Sequence, residues 1–247
     1  MTEIAQDTMA QAEPAALGIE WPPSEDKLPY DDGIPLETPR HALQLQLLMD
    51  PLRLCWTGRQ DLFIGGNMFV YFSLHQVRTQ DFRGPDFFVV LDVPKRERKS
   101  WVVWQEGKGP DVVIELWSES TAAHDKTTKK VIYQNSLRVP EYFWFDPFSS
   151  EWAGFILQHG KYEAIAEDSQ GRLVSQWLDL ALVRWQGVYQ EMEARWLRWS
   201  TLSGTLLPTP QEVAAETQRQ AAEAQRQADA MAALLNRYRE RFGELQE

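Results

Sequence analysis

Residues Arg83–Pro147 read RGPDFFVVLDVPKRERKSWVVWQEGKGPDVVIELWSESTAAHDKTTKKVIYQNSLRVPEYFWFDP. Two Gly-Pro-Asp triplets, at Gly84 and Gly109, each launch a run of β-branched and aromatic residues. The repeat predicts two strands of similar build, DFFVVLD and DVVIELW. A polar, lysine-bearing segment with helical spacing follows, and then a third strand, EYFWFDP. Strand, helix, strand is a crossover unit, so the third strand is expected to run parallel to the second and to be buried. The fold class this implies is α/β (α+β), a mixed sheet flanked by helices.

Side chains alternate along a strand. Asp86, Phe88, Val90 and Asp92 therefore share one face of the first strand, and Asp111, Val113, Glu115 and Trp117 share one face of the second. Antiparallel pairing brings Asp86 beside Glu115 and Asp92 beside Asp111. Two close carboxylates among apolar neighbours repel unless a proton or a cation joins them. A hard divalent ion held by oxygen ligands is the economical explanation. The competing reading makes Asp86 and Asp111 shapers of post-proline turns and Glu115 a solvated strand end. Turn preference favours that reading for Asp111; the apolar flanks of VVIELW disfavour it for Glu115. In the following helix, Asp125, Lys129, Ile132, Tyr133 and Ser136 fall on adjacent faces. Lys126, Lys129 and Lys130 are equal candidates on spacing alone.

Working outward, the helix HALQLQLLMDPLRL is capped by Thr38 with proline next, carries Leu43, Leu47 and Leu48 on one stripe, and is expected to kink or end at Pro51. DLFIGGNMFVYFS, residues 61–73, reads as one strand broken or bulged at Gly65-Gly66, the glycines serving a bend. KRERK, residues 95–99, is either a solvated hairpin tip or a phosphate contact. Residues 152–189 predict smaller strands and turns. The tryptophans Trp177, Trp185, Trp196 and Trp199 are better assigned to packing than to base stacking.

The chain of 247 residues carries a formal net charge of −11, unfavourable for a nucleic-acid binder taken as a whole. The charge is uneven. Residues 1–36 hold eight acids and one lysine, and residues 211–247 hold seven acids and five arginines, which leaves residues 37–210 at −2. The body is thus close to neutral and neither favours nor excludes DNA. Cys55 is the single cysteine, and His41, His75, His124 and His159 lack ligand spacing, so a disulfide framework and a cysteine zinc site are excluded. No run reaches the roughly 20 apolar residues of a membrane span, and the N-terminus lacks the pattern of a secretory signal; a cytoplasmic location is expected. Three regions follow: an acidic arm over residues 1–35, mobile or draped on the body; a body over 36–210; and a helical tail over 211–247. In the tail Ala214, Thr217, Ala221, Ala224, Ala228, Met231, Leu235, Tyr238, Phe242 and Leu245 recur at alternating spacings of three and four, a heptad seam. That seam requires a partner, either another tail or its own body, and a homodimer or higher homo-oligomer is expected.

Asp86 in its PD strand, Glu115 in VVIELWSEST, then Asp125, Lys129, Tyr133 and VPEYFWFDP resemble the Uma2 family of restriction-endonuclease-like proteins, a branch of the PD-(D/E)xK nucleases. The resemblance runs from about Leu36 to Pro208 and is strongest over residues 83–147. It implies a restriction-endonuclease-like core, metal-binding carboxylates on Asp86 and Glu115, and the Leu116 carbonyl as a further ligand. Trp117 occupies the position of the usual lysine, and the resemblance transfers that role to Lys129. Glu119 departs from the family's Ser-Pro-Ser-Thr turn, and Glu37 is a further helix-borne candidate acid. The activity implied is Mg2+- or Mn2+-dependent hydrolysis of nucleic-acid phosphodiesters, DNA being the expected substrate. The alternative is a catalytically silent nuclease-fold module for binding or assembly that works through its tail.

Overall fold

In the computed structural model, residues 22–30, 38–79, 84–117 and 128–243 are described. Helix α1, Pro39–Cys55, starts as the sequence dictates: Thr38 is extended and its hydroxyl accepts from His41 N at 3.3 Å. It does not stop at Pro51. The helix passes through the proline because Leu47, Leu48 and Leu52, all fully buried, hold the last turn against the core. Strands β1 (Leu62–Gly66), β3 (Phe87–Leu91), β5 (Val112–Leu116), β6 (Glu141–Phe145), β7 (Trp152–Gln158) and β8 (Lys161–Ile165) form a six-stranded sheet in the order β1-β3-β5-β6-β7-β8. The pairs are antiparallel except β5 with β6, which is parallel as the crossover requires. Helix α4, described from residue 128, ends in the π-turn Tyr133–Leu137 and lies within the β5–β6 connection.

The predicted strand over 61–73 is two strands. After β1 the chain leaves the sheet, and β2 (Val70–Tyr71) pairs in parallel with β4 (Trp101–Val102) in a separate ribbon. Short helices α2 (Leu74–Thr79) and α3 (Val103–Glu106) flank that ribbon. Gly65 serves close packing rather than a bend: a Cβ there would lie 2.3 Å from the Phe88 ring.

The sheet has two apolar faces. One packs Phe87, Val89, Ile114 and Phe143 against α1 and against a second, three-stranded sheet of β9 (Leu173–Ser175), β10 (Leu180–Tyr189) and β11 (Met192–Thr201). The 10-residue β11 was not visible as a strand in the sequence; it carries Trp196 and Trp199, both fully buried. Gln44 on α1 joins the two layers, donating to Leu197 O and accepting from Leu197 N, each at 2.8 Å. The opposite face packs Phe88, Val90, Val113, Trp117, Tyr133 and Tyr142 around Trp101.

KRERK is solvated at Lys95, Arg96, Glu97 and Lys99 but not at Arg98. Arg98 has a fully buried side chain, pairs with Glu106 at 2.8 Å and lies over the Phe63 and Trp101 rings. Arg96 binds Glu25 at 3.0 Å and also Glu106, while Lys99 reaches Asp26 at 3.4 Å. The described piece of the acidic arm is therefore draped on the body. Leu28 is buried, Tyr71 OH donates to Pro29 O at 2.6 Å and Trp104 Nε1 donates to Pro23 O at 3.0 Å.

The tail is helix α5, Pro210–Phe242, with a complete capping box between Thr209 and Glu212. Glu212 also binds the buried Arg198 through both carboxylate oxygens, at 2.9 and 2.7 Å. None of the helix's 33 residues is buried, so the seam does not fold back onto the described body.

The packing at Gly65 gives a stability prediction. Gly65→Ala should destabilise the fold by roughly 1–3 kcal/mol, since the aromatic ring and the strand must both shift. Urea unfolding of the two proteins measures the difference, and equal midpoints would contradict this packing.

Candidate active site

Asp86 and Glu115 are brought together by strand register. Phe87 is opposite Ile114 and Phe88 opposite Val113, so the register carried one step further sets Asp86 opposite Glu115. Asp86 O accepts from Asn67 N at 2.9 Å, and Asp86 Oδ2 accepts from Leu116 N at 2.7 Å, which fixes the start of β3 against the end of β5. Both carboxylates lie on the Phe88–Val113–Trp117 face, the face covered by α4. A side chain at Gly84 would come within 2.8 Å of Met68 O, so glycine permits the close approach that leads the chain into Asp86.

Glu115 is fully buried. Its two oxygens are held separately by residues four apart on α4. Tyr133 OH donates to Oε1 at 2.5 Å and Lys129 Nζ binds Oε2 at 2.9 Å. Helical spacing alone puts Lys129 and Tyr133 on one face. The π-turn that begins at Tyr133 closes with Arg138 in the left-handed region and Val139 N bonded to Tyr133 O at 2.9 Å.

The electrostatics follow from burial. Asp86 is pushed well above its ordinary value, first by loss of solvent, then by the charge of Glu115; Lys129 and the Leu116 N–H oppose the shift, and a side-chain hydrogen bond with Glu115 adds to it. Tyr133 is likewise raised well above its ordinary value by burial and by Glu115. With Asp86 protonated, Glu115 and Lys129 balance; with both carboxyls ionised, one negative charge is left over. An additional hard cation would neutralise it.

The oxygen donors suit Mg2+, which is bound through one or two carboxylates and retains several waters. Among the described residues no group of three or more His, Cys, Asp and Glu is gathered for a metal. Any ion here would draw on the Asp86–Glu115 pair and backbone oxygen.

Other predicted residues fall elsewhere. Asp111 is buried and accepts from Leu91 N at 2.7 Å while pairing with Lys108 at 2.9 Å; Asp92 meets the same lysine at 3.8 Å. Both belong to the far end of the β3–β5 pair, as the face argument requires. Lys130 sits over the Phe155 ring at 3.3 Å rather than at the carboxylates. Glu37, Asp125 and Lys126 lie outside the described residues. Tyr133, which the sequence shows only as part of a motif, joins the site through Glu115. Its four-residue spacing from Lys129 is the signal that could have found it.

A family model described as "Uma2: Putative restriction endonuclease" matches residues 17–185. A crystal structure of a "putative nuclease belonging to DUF820" from Anabaena variabilis ATCC 29413 matches with 17% sequence identity and a TM-score of 0.40. The match covers 60% of this chain and 87% of that one. No curated protein matches the chain. No helix among the described residues is long and apolar enough to cross a membrane.

The raised Asp86 carboxyl predicts a pH dependence for the metal-free protein. Its folded pKa lies above the ordinary 3.8, so the folded state holds the proton longer than the unfolded chain. Its contribution to stability is complete below the unfolded value and is lost as pH rises through the folded one. Asp86→Asn should therefore raise the melting temperature at pH 8 and flatten its decline between pH 4 and 8. An unchanged slope would remove Asp86 as the cause.

Proposed function

The chain belongs to the Uma2 family, and on that premise we propose that it is a metal-dependent endonuclease hydrolysing nucleic-acid phosphodiesters, with DNA as the substrate. One observation carries the reading: a fully buried Glu115 faces Asp86 across the strand pair while Lys129 holds one of its oxygens.

Asp86 and Glu115 would hold Mg2+ or Mn2+, together with the Leu116 carbonyl. Such an ion, when bound, supplies Lewis-acid polarisation of the phosphate and lowers the pKa of a bound water. Asp86 is oriented for the role by the Leu116 N–H and Glu115 by the Tyr133 hydroxyl. Lys129, one quarter exposed at its side chain, is the cation able to reach both Glu115 and an incoming phosphate. It would stabilise charge developing there or orient the attacking water. The buried apolar wall of Phe88, Val113 and Trp117 lowers the local dielectric and strengthens each of these interactions.

A second reading, a catalytically silent module for binding or assembly, draws on the fully exposed tail. Glu115→Gln separates the two. In the enzyme the variant stays folded, binds Mn2+ poorly and loses cleavage of mixed DNA and RNA, because a hard cation needs the charge. Lys129→Ala should spare metal binding and slow turnover by roughly 100- to 1,000-fold. Equal cleavage by wild type and Glu115→Gln would place the chemistry elsewhere, and no cleavage by either would favour the module.

Self-association through the tail belongs to the same proposal. Met231, Leu235, Tyr238 and Phe242 are between 45% and 67% exposed, a costly arrangement relieved by a second copy. Light scattering of the full chain and of a truncation after Pro210 should give a dimer or larger species and a monomer, respectively. An unchanged mass on truncation would remove the tail from the interface.

A further inference from the structure

The tail seam is not uniform along its length, and the asymmetry specifies how two copies pair. Ala214, Thr217, Ala221, Ala224 and Ala228 occupy the half nearest the body, while Met231, Leu235, Tyr238 and Phe242 occupy the distal half. All of these residues are exposed on one continuous helix. Thr217 donates its hydroxyl to Val213 O at 2.9 Å and so brings no unmet polar group to the seam. Tyr238 and Phe242 already contact one another, with ring centroids 4.7 Å apart, which makes the distal half wide and preshaped.

We propose that two tails pair antiparallel, with Phe242 opposite Thr217, Tyr238 opposite Ala221, Leu235 opposite Ala224 and Met231 opposite Ala228 of the second copy. The proposal rests on the self-association reading above and adds its orientation and register.

Volume is the first argument. In this register each of these layers joins one large and one small side chain, so helix separation stays constant along the rod. Parallel pairing in register would stack alanine on alanine near the body and Tyr238 and Phe242 on their own copies at the far end. Interaxial distance depends on the side chains at the contact, between about 8 and 10 Å. Such a dimer would have to splay along its length or leave gaps in one half, and unfilled space forfeits contact energy.

Charge is the second. Glu212, Glu216, Glu223 and Asp229 outnumber Arg219 and Arg226 in the proximal half, whereas Arg237, Arg239 and Arg241 outnumber Glu240 over residues 230–242. In this register the basic segment of each copy lies along residues 217–229 of the other, where Glu223 and Asp229 balance Arg219 and Arg226, with Arg239 and Arg241 flanked by Gln218 and Gln220. Parallel pairing would crowd the arginines of both copies at one end. Leu245, Glu244 and Glu247 lie outside the described residues.

The consequence is geometric. At 1.5 Å per residue, this register separates the two Pro210 positions by roughly 60 Å along the rod. The two bodies then join the rod at opposite ends.

Cysteine pairing reads the orientation directly. In a Cys55→Ser background, which removes the exposed native thiol, Ala221→Cys and Tyr238→Cys are expressed singly and together as two separate chains. Mild oxidation should give a disulfide-linked dimer from the co-expressed pair and none from either single variant. Dimers from each single variant would overturn the antiparallel register while leaving self-association intact. Monomers in every sample, with a monomeric mass for the unmodified full chain by sedimentation, would overturn both the register and the self-association on which it rests.

Discussion

The antiparallel pairing of β3 with β5 is the constraint on which the site depends. Three residue pairs from Phe87–Ile114 to Val89–Val112 set the register, and everything at the carboxylate end follows from it. A slip of one residue would move either acid to the opposite face, toward α1 and the second sheet. The pairing is held at both ends by acids. Asp86 accepts from Leu116 N at one end, and Asp111 accepts from Leu91 N at the other. Two acids that look equivalent in the repeated Gly-Pro-Asp triplet thus do related structural work, but Asp86 faces a fully buried carboxylate, whereas Asp111 shares Lys108 with the exposed Asp92.

Burying Glu115 is costly, and α4 offsets that cost. A fully buried carboxylate with one unmet oxygen would lose the desolvation energy of that oxygen outright. Tyr133 and Lys129 satisfy one oxygen each. The remaining strain is electrostatic and falls on Asp86, whose ionised form is disfavoured by burial and by its neighbour. A pocket arranged in this way is poorly suited to stability for its own sake, since apolar side chains of the same volume would serve that better. Under the proposed function, a bound cation would relieve that strain.

The charge distribution has a similarly local explanation. The described acidic residues Glu25 and Asp26 are not a free field around the molecule; they neutralise Arg96 and Lys99 beside the β2–β4 ribbon. Within KRERK, Arg98 is withdrawn from solvent, sunk between Phe63 and Trp101 and tied to Glu106, while Lys95, Arg96 and Lys99 stay exposed. At the other end of the chain, Arg198 performs a comparable task by fixing the first turn of the tail through Glu212. The tail therefore leaves the body in a defined direction, although none of its own residues is buried.

Period-two alternation and the repeated turn triplet were enough to give the β3 and β5 faces, the proximity of Asp86 and Glu115, and the remoteness of Asp92 and Asp111, because these depend on strand geometry and near neighbours. The parallel β6 was legible for the same reason, since a strand–helix–strand order leaves little topological choice. The cap at Thr38 and the long tail helix were likewise local. Tertiary structure decided the rest. Whether Pro51 ends α1 depends on how much apolar surface its last turn buries; whether Gly65 bends or packs depends on Phe88; whether Arg98 is wet depends on Glu106, Phe63 and Trp101. The choice of Lys129 over Lys130 was open to helical spacing and was made by the position of α4 over β5, which sends one lysine to Glu115 and the next to Phe155. Tyr133 as the second anchor of Glu115 emerged only there, because a phenol becomes part of a site through the carboxylate it meets, and that meeting is fixed by packing across the sheet.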